Sequence, residues 1–288
     1  MAFGRRCSGP RKSPPVNHKQ LCPAMSVTRE PITIRELTTD DEMRPCHGLQ
    51  QRVWGSSEIE VVPHHIFVVA TRVGGQVLAA YDGNEMVGFV LAFPALQKGR
   101  RYLHSHMTAV LPEYQGHGIG KQLKFAQRQN ALNHGFDLIE WTFDPLQLGN
   151  ANFNISHLGA IVREYLPSVY GSTTSQLDAG LPTDRLVAEW WIRDSRVQQT
   201  LQGRPPQGTT AVRRVDLPRR IRAICAHDPE QARELQRQLR LALEPLFHNS
   251  FAITAFEMNA EHATYLLEPY ENREDYAARA SHASENTV

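Results

Sequence analysis

The sequence predicts a mixed α/β fold, in which a β-sheet carries helices on its faces. Short β-rich runs alternate along the chain with longer amphipathic stretches, an order typical of such sheets. A glycine-rich turn at residues 115–120 also joins one β-rich run to an amphipathic stretch, which predicts a strand, a tight loop and a helix at that point. The hydrophobic content of 41% is sufficient for a packed core.

The first two thirds of the chain contain most of the predicted elements. Residues 31–36 alternate in polarity as a strand does, and Thr39 or Asp40 can cap a helix that continues to about Trp54. The sequence Asp82-Gly83-Asn84 is a hairpin signal. The other elements predicted here are helices at 63–73, 119–134 and 150–158, and strands at 76–81, 85–93, 102–110, 137–143, 160–165 and 185–192.

The last third predicts a second, smaller unit. Proline, glycine and glutamine are concentrated at residues 198–210, which indicates a linker. Asp228-Pro229-Glu230 then begins a helix that can continue to about His248. The resulting division is a disordered segment at 1–24, a main domain at 25–195, a linker at 196–210, an αβ unit at 211–270 that packs on the main domain, and a flexible tail at 271–288, with Met25 as an alternative start.

Composition excludes several classes of function. A net charge of +1 argues against a nucleic-acid partner bound through bulk charge. No apolar run approaches 18 residues, so neither a membrane span nor a membrane partner is expected. The four cysteines are scattered without a C-x-x-C pair, which predicts reduced thiols in a cytoplasmic protein and no metal site.

The most informative feature is the turn with glycines at 116, 118 and 120, which opens onto the helix that begins near Ile119. Glycine permits positive φ and close approach of a ligand to the backbone. A helix start presents unpaired N–H groups and a partial positive charge, so the turn predicts an anion site suited to phosphate. The Walker pattern is absent, because Lys121 is followed by Gln122 and the glycine spacing differs. The dinucleotide pattern G-x-G-x-x-G is also absent, because Lys121 occupies the place of its last glycine.

The pattern Gln115-x-x-Gly118-x-Gly120, preceded by Val110–Tyr114, resembles the acetyl-CoA signature of the GNAT superfamily of N-acetyltransferases. The resemblance covers roughly residues 30–170. It implies a mostly antiparallel sheet with a splayed central strand pair, and acetyl-CoA as the acyl donor. Loop N–H groups would hold the pyrophosphate, and the strand would pair with the pantetheine arm. The cofactor-binding residues implied are Thr108, Ala109, Val110, Gln115, Gly116, His117, Gly118, Ile119, Gly120, Lys121 and Asn150.

A base is needed to remove a proton from the attacking amine, and His104 and His106 are the candidates. Both lie on the strand before the loop, where period-two alternation would put them on one face with Tyr102, Thr108 and Val110. In the histone-acetylating branch of the resembled family, a glutamate base stands eleven positions before the loop glutamine, a position held here by His104. A water chain, or two ordinary strand histidines, are the alternatives. We expect the oxyanion to meet a backbone N–H near Val110.

The proton donor to the leaving thiolate is an open point. The resemblance aligns Asn150-Ala151 and Gly159-Ala160 with the family pattern, but the usual tyrosine is replaced by Ile155. Candidate replacements are Ser156, His157, Tyr165 and Tyr170, and a thiol with a pKa of about 8.5 can also leave without a protein acid. Asn150 could contact the pantetheine arm or cap a helix.

These observations predict an acyl-CoA-dependent N-acetyltransferase in which an amine attacks the thioester directly. The acceptor would be a small-molecule or peptide amine. The oligomeric state is left open, with a homodimer as one alternative because proteins of the resembled family often dimerise. One alternative is a non-catalytic acyl-CoA-binding or regulatory module, as the loss of the tyrosine at Ile155 suggests. Another is an interaction protein in which the C-terminal unit docks a partner.

Overall fold

The computed structural model describes residues 31–55, 61–97, 99–171, 181–204 and 213–270. The predicted N-terminal segment at 1–24 and tail at 271–288 lie outside these residues. No helix in the described ranges is long and apolar enough to cross a membrane.

The described strands form one ten-stranded sheet in the order β1-β2-β3-β4-β5-β7-β6-β9-β10-β8. All neighbouring strands pair antiparallel except β4 and β5, which are parallel. This confirms the predicted mixed, mostly antiparallel sheet. The strands are β1 Thr33–Glu36, β2 Gln76–Asp82, β3 Glu85–Gln97, β4 Arg100–Val110, β5 Leu138–Phe143, β6 Ile161–Leu166, β7 Arg185–Trp191, β8 Arg213–Pro218, β9 Phe251–Met258 and β10 His262–Pro269.

The helices largely follow the predicted stretches. They are α1 Asp40–Met43, α2 Pro45–Trp54, α3 His64–Arg72, α4 Ile119–Asn133, α5 Leu148–Ala151, α6 Ser195–Leu201, α7 Ile221–His227 and α8 Pro229–His248, with a 3₁₀ turn at Pro112–Tyr114 and a π-helical turn at Asn152–His157. The single helix predicted from Thr39 to Trp54 is two helices, because Pro45 lacks the N–H needed to continue α1 and begins α2 instead. Thr39 caps α1 in a capping box with Glu42.

Helices α3 and α4 lie on opposite faces of the sheet. Neighbouring residues of β3 show this, because adjacent side chains in a strand point to opposite faces. The ring of Phe89 packs against Phe67 of α3, with ring centroids 5.4 Å apart. A Cβ on Gly88 would lie 3.2 Å from Cδ1 of Leu123 in α4. Glycine at position 88 thus lets α4 approach β3 closely.

The C-terminal third differs from its prediction in two places. Helix α6 occupies residues 195–201, so the linker predicted at 196–210 is wrong there, and residues 205–212 lie outside the described part. Asp194 caps α6 by accepting from the amide of Arg196. The second difference is α7, which the sequence did not predict. Helix α8 begins as predicted, with the Asp228 carboxylate accepting from the amide of Gln231 at 3.0 Å.

Candidate active site

The centre of the sheet is open between β4 and β5. Among the described residues the two strands pair only at Leu103 with Ile139 and at His104 with Glu140. Beyond these pairs the strands diverge, so residues 105 and 107–110 of β4 pair with β3 on one side only. The predicted splayed strand pair is therefore present, and Thr108, Ala109 and Val110 lie along its open edge. Backbone groups on such an edge are available to pair with an extended ligand.

A β-bulge lies next to the point where the strands part. Leu91 of β3 pairs with Met107, and the next residue of β3 pairs with Ser105, so His106 is the extra residue. A Cβ on Gly88 would lie 3.3 Å from Cγ2 of Val110, which places Val110 on the α4 side. Thr108 is two positions from Val110 in the regular part of the strand and is on the same side. The prediction that Thr108 and Val110 share a face with His104 is therefore wrong, because the bulge interrupts the alternation between them.

The glycine-rich loop presents a run of unpaired amides at the start of α4. Gly116 and Gly118 have φ of 78° and 80°, values that favour glycine. Within the described part of the chain, the amides of residues 116–121 donate to no intramolecular acceptor. A Cβ on Gly116, Gly118 or Gly120 would meet no atom within 4 Å. The loop therefore encloses open space with six consecutive donors and a helix N-terminus beside it, an arrangement suited to a phosphate or pyrophosphate.

Side-chain hydrogen bonds fix the shape of this loop. The amide of Gln115 donates from Nε2 to the carbonyl of Val110 at 2.9 Å, which ties the loop to the end of β4. The ring Nδ1 of His117 lies 2.9 Å from the carbonyl oxygen of Gln115. Ile119 is buried in the core, so only its backbone faces the loop. The ammonium of Lys121 lies 5.3 Å from the ring centre of Phe125, at the first turn of the helix.

A row of polar side chains crosses the sheet on the face away from α4. Ser105 contacts α4, so His104 faces the other side, and its ring centre is 6.1 Å from that of His106. Glu140 is the register partner of His104 and Glu189 is that of Glu140. We call these four residues the polar row. It follows the sheet from β4 across β5 to β7.

Arginines neutralise the two carboxylates of the polar row. Arg163 donates from Nε and Nη2 to Glu189 at 2.9 and 2.7 Å, a bidentate pair. Arg100 donates to Glu140 at 3.1 Å. Burial, followed by the nearby Glu189 carboxylate, raises the pKa of Glu140 to about 7. The row therefore holds a carboxyl group that titrates near neutrality.

Both histidines of the polar row are shifted towards the neutral form. Burial lowers the pKa of His104, and the charges of His106 and Lys124 lower it further. Desolvation lowers the pKa of His106 as well, although its side chain has an exposed edge. Neutral imidazole can accept a proton at physiological pH. The structure thus places both sequence-predicted bases together, beside the point where β4 and β5 part.

On the opposite face, α4 carries a buried lysine. The ammonium of Lys124 donates to Oγ of Ser105 at 2.8 Å and to Oε1 of Gln127 at 3.0 Å, and lies 4.0 Å from the ring centre of Trp141. Burial lowers the pKa of Lys124 to about 7. Three titratable residues of the site, Glu140, Glu189 and Lys124, were therefore missed from the sequence. Each had a weak signal, since a charged residue stands within an apolar strand or on the buried side of a helix.

The candidate acids occupy varied positions. Ile155 is buried in the core and offers no proton. The hydroxyl of Tyr165 donates to Asp184 at 2.7 Å, and the pKa of this tyrosine is raised by burial and by that bond. Ser156 donates to the carbonyl of Phe256, and Nδ1 of His157 lies near the carbonyl of Asn152. Of the four, Tyr170 lies beside the open end of β5, with its hydroxyl 3.2 Å from Oγ1 of Thr142.

Asn150 lies in α5, with its side chain exposed. The N-cap of α5 is Gln147, so the expectation that Asn150 caps a helix is wrong. In the described residues, no group of three His, Cys, Asp or Glu side chains is arranged to hold a metal ion.

A comparison with sequence models of known protein families finds one that matches this part of the chain. The sequence model of the acetyltransferase (GNAT) family matches residues 38–153, a range that contains the loop, the splayed strands and the polar row as far as Glu140. The chain therefore carries a GNAT acetyltransferase domain, as the loop sequence predicted. A comparison with curated protein sequences gives no match.

Several solved structures are similar to the chain. A GNAT-family protein from Desulfovibrio desulfuricans is 13% identical, with 56% of this chain and 99% of that chain covered and a TM-score of 0.47. The ribosomal-protein-S18-alanine N-acetyltransferase of Escherichia coli is 16% identical, with coverage of 62% and 97% and a TM-score of 0.46. A GNAT acetyltransferase from Elizabethkingia anophelis with acetyl-CoA bound is 16% identical, with coverage of 56% and 97% and a TM-score of 0.41.

Proposed function

We propose that the protein is an acyl-CoA-dependent N-acyltransferase that transfers acetyl from acetyl-CoA to an amine by direct attack. The observation that carries the proposal is the run of six unpaired amides at residues 116–121, next to the open edge of β4. The amides suit the diphosphate of the coenzyme, and the edge suits its extended amide-containing arm. The acetyltransferase family match over residues 38–153 supports the same donor.

The donor's thioester would lie near the bulge of β4. The arm enters at the loop and follows the open edge from Val110 towards His106, where the strands converge. As the amine attacks, negative charge develops on the carbonyl oxygen, and a backbone N–H of β4 that has no sheet partner can stabilise it. The acceptor amine would approach from the face that carries the polar row.

The amine must lose its proton before or during attack. For an alkylamine with a pKa near 10.4, deprotonation at pH 7 costs roughly 4.6 kcal/mol, which a positioned base can offset. We propose His104 as that base, with His106 as the second candidate. The ring of His104 is partly exposed and lies on the acceptor face where the strands part. Glu140, by contrast, is buried and paired with Arg100.

A second candidate function is a non-catalytic acyl-CoA-binding or regulatory module. The observation that favours it is the burial of Ile155 at the position of the usual tyrosine acid. Both candidates require coenzyme binding, but only the first predicts that CoA is released when an amine is present.

The coenzyme site is tested by isothermal titration with acetyl-CoA on the wild type and on Gly120→Asp. Position 120 is in the first turn of α4 without positive φ, and its Cβ would enter open space. The carboxylate should therefore repel the diphosphate and weaken binding by at least about tenfold. The fold should gain slightly in thermal stability, because an acid in the first turn of a helix is favoured by about 0.3–1 kcal/mol.

Gly48→Asp is the matched control, because Gly48 is an exposed helical glycine of α2 with open space at its Cβ. It should bind acetyl-CoA like the wild type. Unchanged affinity in Gly120→Asp would refute the assignment of the loop. The release of CoA thiol is then measured with a panel of amines. If the protein is an acyltransferase, at least one amine should stimulate the release. If it is a binding module, none should.

A further inference from the structure

Lys124 is buried without a carboxylate partner. Its side chain is 3% exposed, and among the described residues no acidic group lies within ion-pair distance of it. The groups that face its ammonium are uncharged, namely Ser105 from β4, Gln127 from α4 and Trp141 from β5. Burial of an unpaired ammonium destabilises the folded state. A packing role therefore does not account for a lysine at this position, where an apolar side chain would be more stable.

The position of this ammonium coincides with the apex of the splayed strands. The last pair between β4 and β5 joins His104 to Glu140. Ser105 and Trp141, which both contact Lys124, are the next residue of each strand. A ligand arm that fills the gap from its open end would therefore bring its inner end towards Lys124.

The length of β4 suits this placement. Ser105 and Val110 are five positions apart in the strand, which is roughly 17 Å at about 3.3 Å per residue. The extended arm between the diphosphate and the sulfur of CoA can span such a distance. The indole of Trp190 donates to the carbonyl of Leu158 and packs against Trp141, so Lys124 and the helical turn that carries Ile155 are on the same face of the sheet.

We propose that Lys124 stabilises and protonates the leaving thiolate of the acyl donor, the role left open by Ile155. The inference rests on the proposed function. In the step, the amine nitrogen bonds to the thioester carbon, the carbon–sulfur bond breaks, and the sulfur keeps the electron pair. The Lys124 ammonium gives its proton to that sulfur and becomes a neutral amine. It regains a proton from water, while the proton lost by the acceptor passes to the base on the opposite face.

The test uses CoA itself as the probe and needs no acceptor. The thiol of bound CoA is titrated by the ultraviolet absorbance of its thiolate, in the full chain saturated with CoA. A cation within about 4–6 Å lowers the pKa of an acidic group by one to three units. We expect the bound thiol to titrate that far below its ordinary value of about 8.5, and to return to that value in Lys124→Met.

Several variants make the result specific. Lys124→Gln keeps a polar group without charge and should behave like Lys124→Met, so it serves if the latter fails to fold. Arg237→Met removes an exposed charge of α8 and should leave the shift intact. Tyr170→Phe should also leave it intact, and loss of the shift in this variant would assign the role to Tyr170.

The outcomes separate this inference from the proposed function. If CoA binds and its thiol titrates at the ordinary value in the wild type, the role of Lys124 is wrong while the coenzyme site stands. A lowered value that persists in both Lys124 variants also overturns the role. If CoA does not bind to the wild type at all, the proposed function fails and the inference fails with it.

Discussion

At the scale of residues, the site combines titratable groups that the sheet brings together from distant parts of the sequence. His104 and Glu140 are 36 positions apart in the chain but are register partners in the parallel pair. Burial moves their pKa values in opposite directions, lowering that of His104 and raising that of Glu140 to about 7. A general base is inactive below its own pKa. Activity would therefore fall at a lower pH if His104 is the base than if Glu140 is the base.

The base can be identified from the pH profile of kcat/KM with an amine found in the panel. With His104 as the base, the rate should fall on acidification below pH 6.5, because the lowered pKa keeps the imidazole neutral down to that point. His104→Ala should lower the rate roughly 10²–10⁴-fold. The acidic limb of the profile, which is the fall in rate below pH 6.5, should also disappear in this variant. His106→Ala is the control, because it removes the neighbouring histidine at the bulge. It should retain the acidic limb.

Glu140→Gln completes that comparison. It keeps the shape of the side chain and removes its titration, so the limb below pH 6.5 should remain. A limb at about pH 7 that disappears in this variant would make Glu140 the base and contradict the choice of His104. A profile that none of the three variants alters would indicate a water chain.

At the scale of elements, the site depends on irregularities placed between regular segments. The bulge at His106 turns β4, and the positive φ of Gly118 starts α4. A further irregularity is Gly159, with φ of 77°, at the end of the helical turn that holds Ile155. A Cβ there would lie 2.8 Å from Oγ1 of Thr200 and 3.3 Å from Cα of Val197, both in α6. Gly159 therefore lets α6 close over this turn.

Gly159→Ala should lower the free energy of unfolding by about 2–4 kcal/mol, since it adds a steric clash to a backbone conformation that disfavours alanine. Gly203→Ala is the matched control, because its φ is 76° and its Cβ would meet no atom within 4 Å. That variant should lose only about 1–2 kcal/mol. Urea denaturation measures both, and equal losses would show that contact with α6 contributes nothing.

Much of this element scale was predictable from local patterns. Caps at Thr39 and Asp228, the hairpin at Gly83 and the loop glycines are local features that a sequence displays directly. The proline that divided the first helix was also visible, but its consequence was not drawn. The bulge, the pairing of His104 with Glu140 and the place of Lys124 depend on register and on packing between distant segments. Periodicity along one segment carries no information about these features.

At the scale of the whole described chain, the C-terminal third continues the sheet. Strand β9 pairs with β6 at Val162 and Ile253, and the buried hydroxyl of Tyr265 donates to the carbonyl of Pro145 at 2.7 Å. Arg196 of α6 donates to the carbonyl of Thr254. Residues of α8 and β10 also share one hydrophobic core with β5 and β7. The segment predicted as an αβ unit that packs on the main domain thus shares the core that supports the site.

Unfolding should therefore be a single cooperative transition, and the distribution of tryptophan makes this measurable. The four tryptophans are at positions 54, 141, 190 and 191, so fluorescence reports on the first two thirds of the chain, whereas far-ultraviolet circular dichroism reports on all of it. In urea the two transitions should coincide. Tyr265→Phe, which removes the bond to Pro145, should lower the free energy of unfolding measured by both probes by about 1–3 kcal/mol, and the two midpoints should move together. If the C-terminal third were an independent unit, the dichroism would show a second transition without a fluorescence change, and Tyr265→Phe would shift that transition alone.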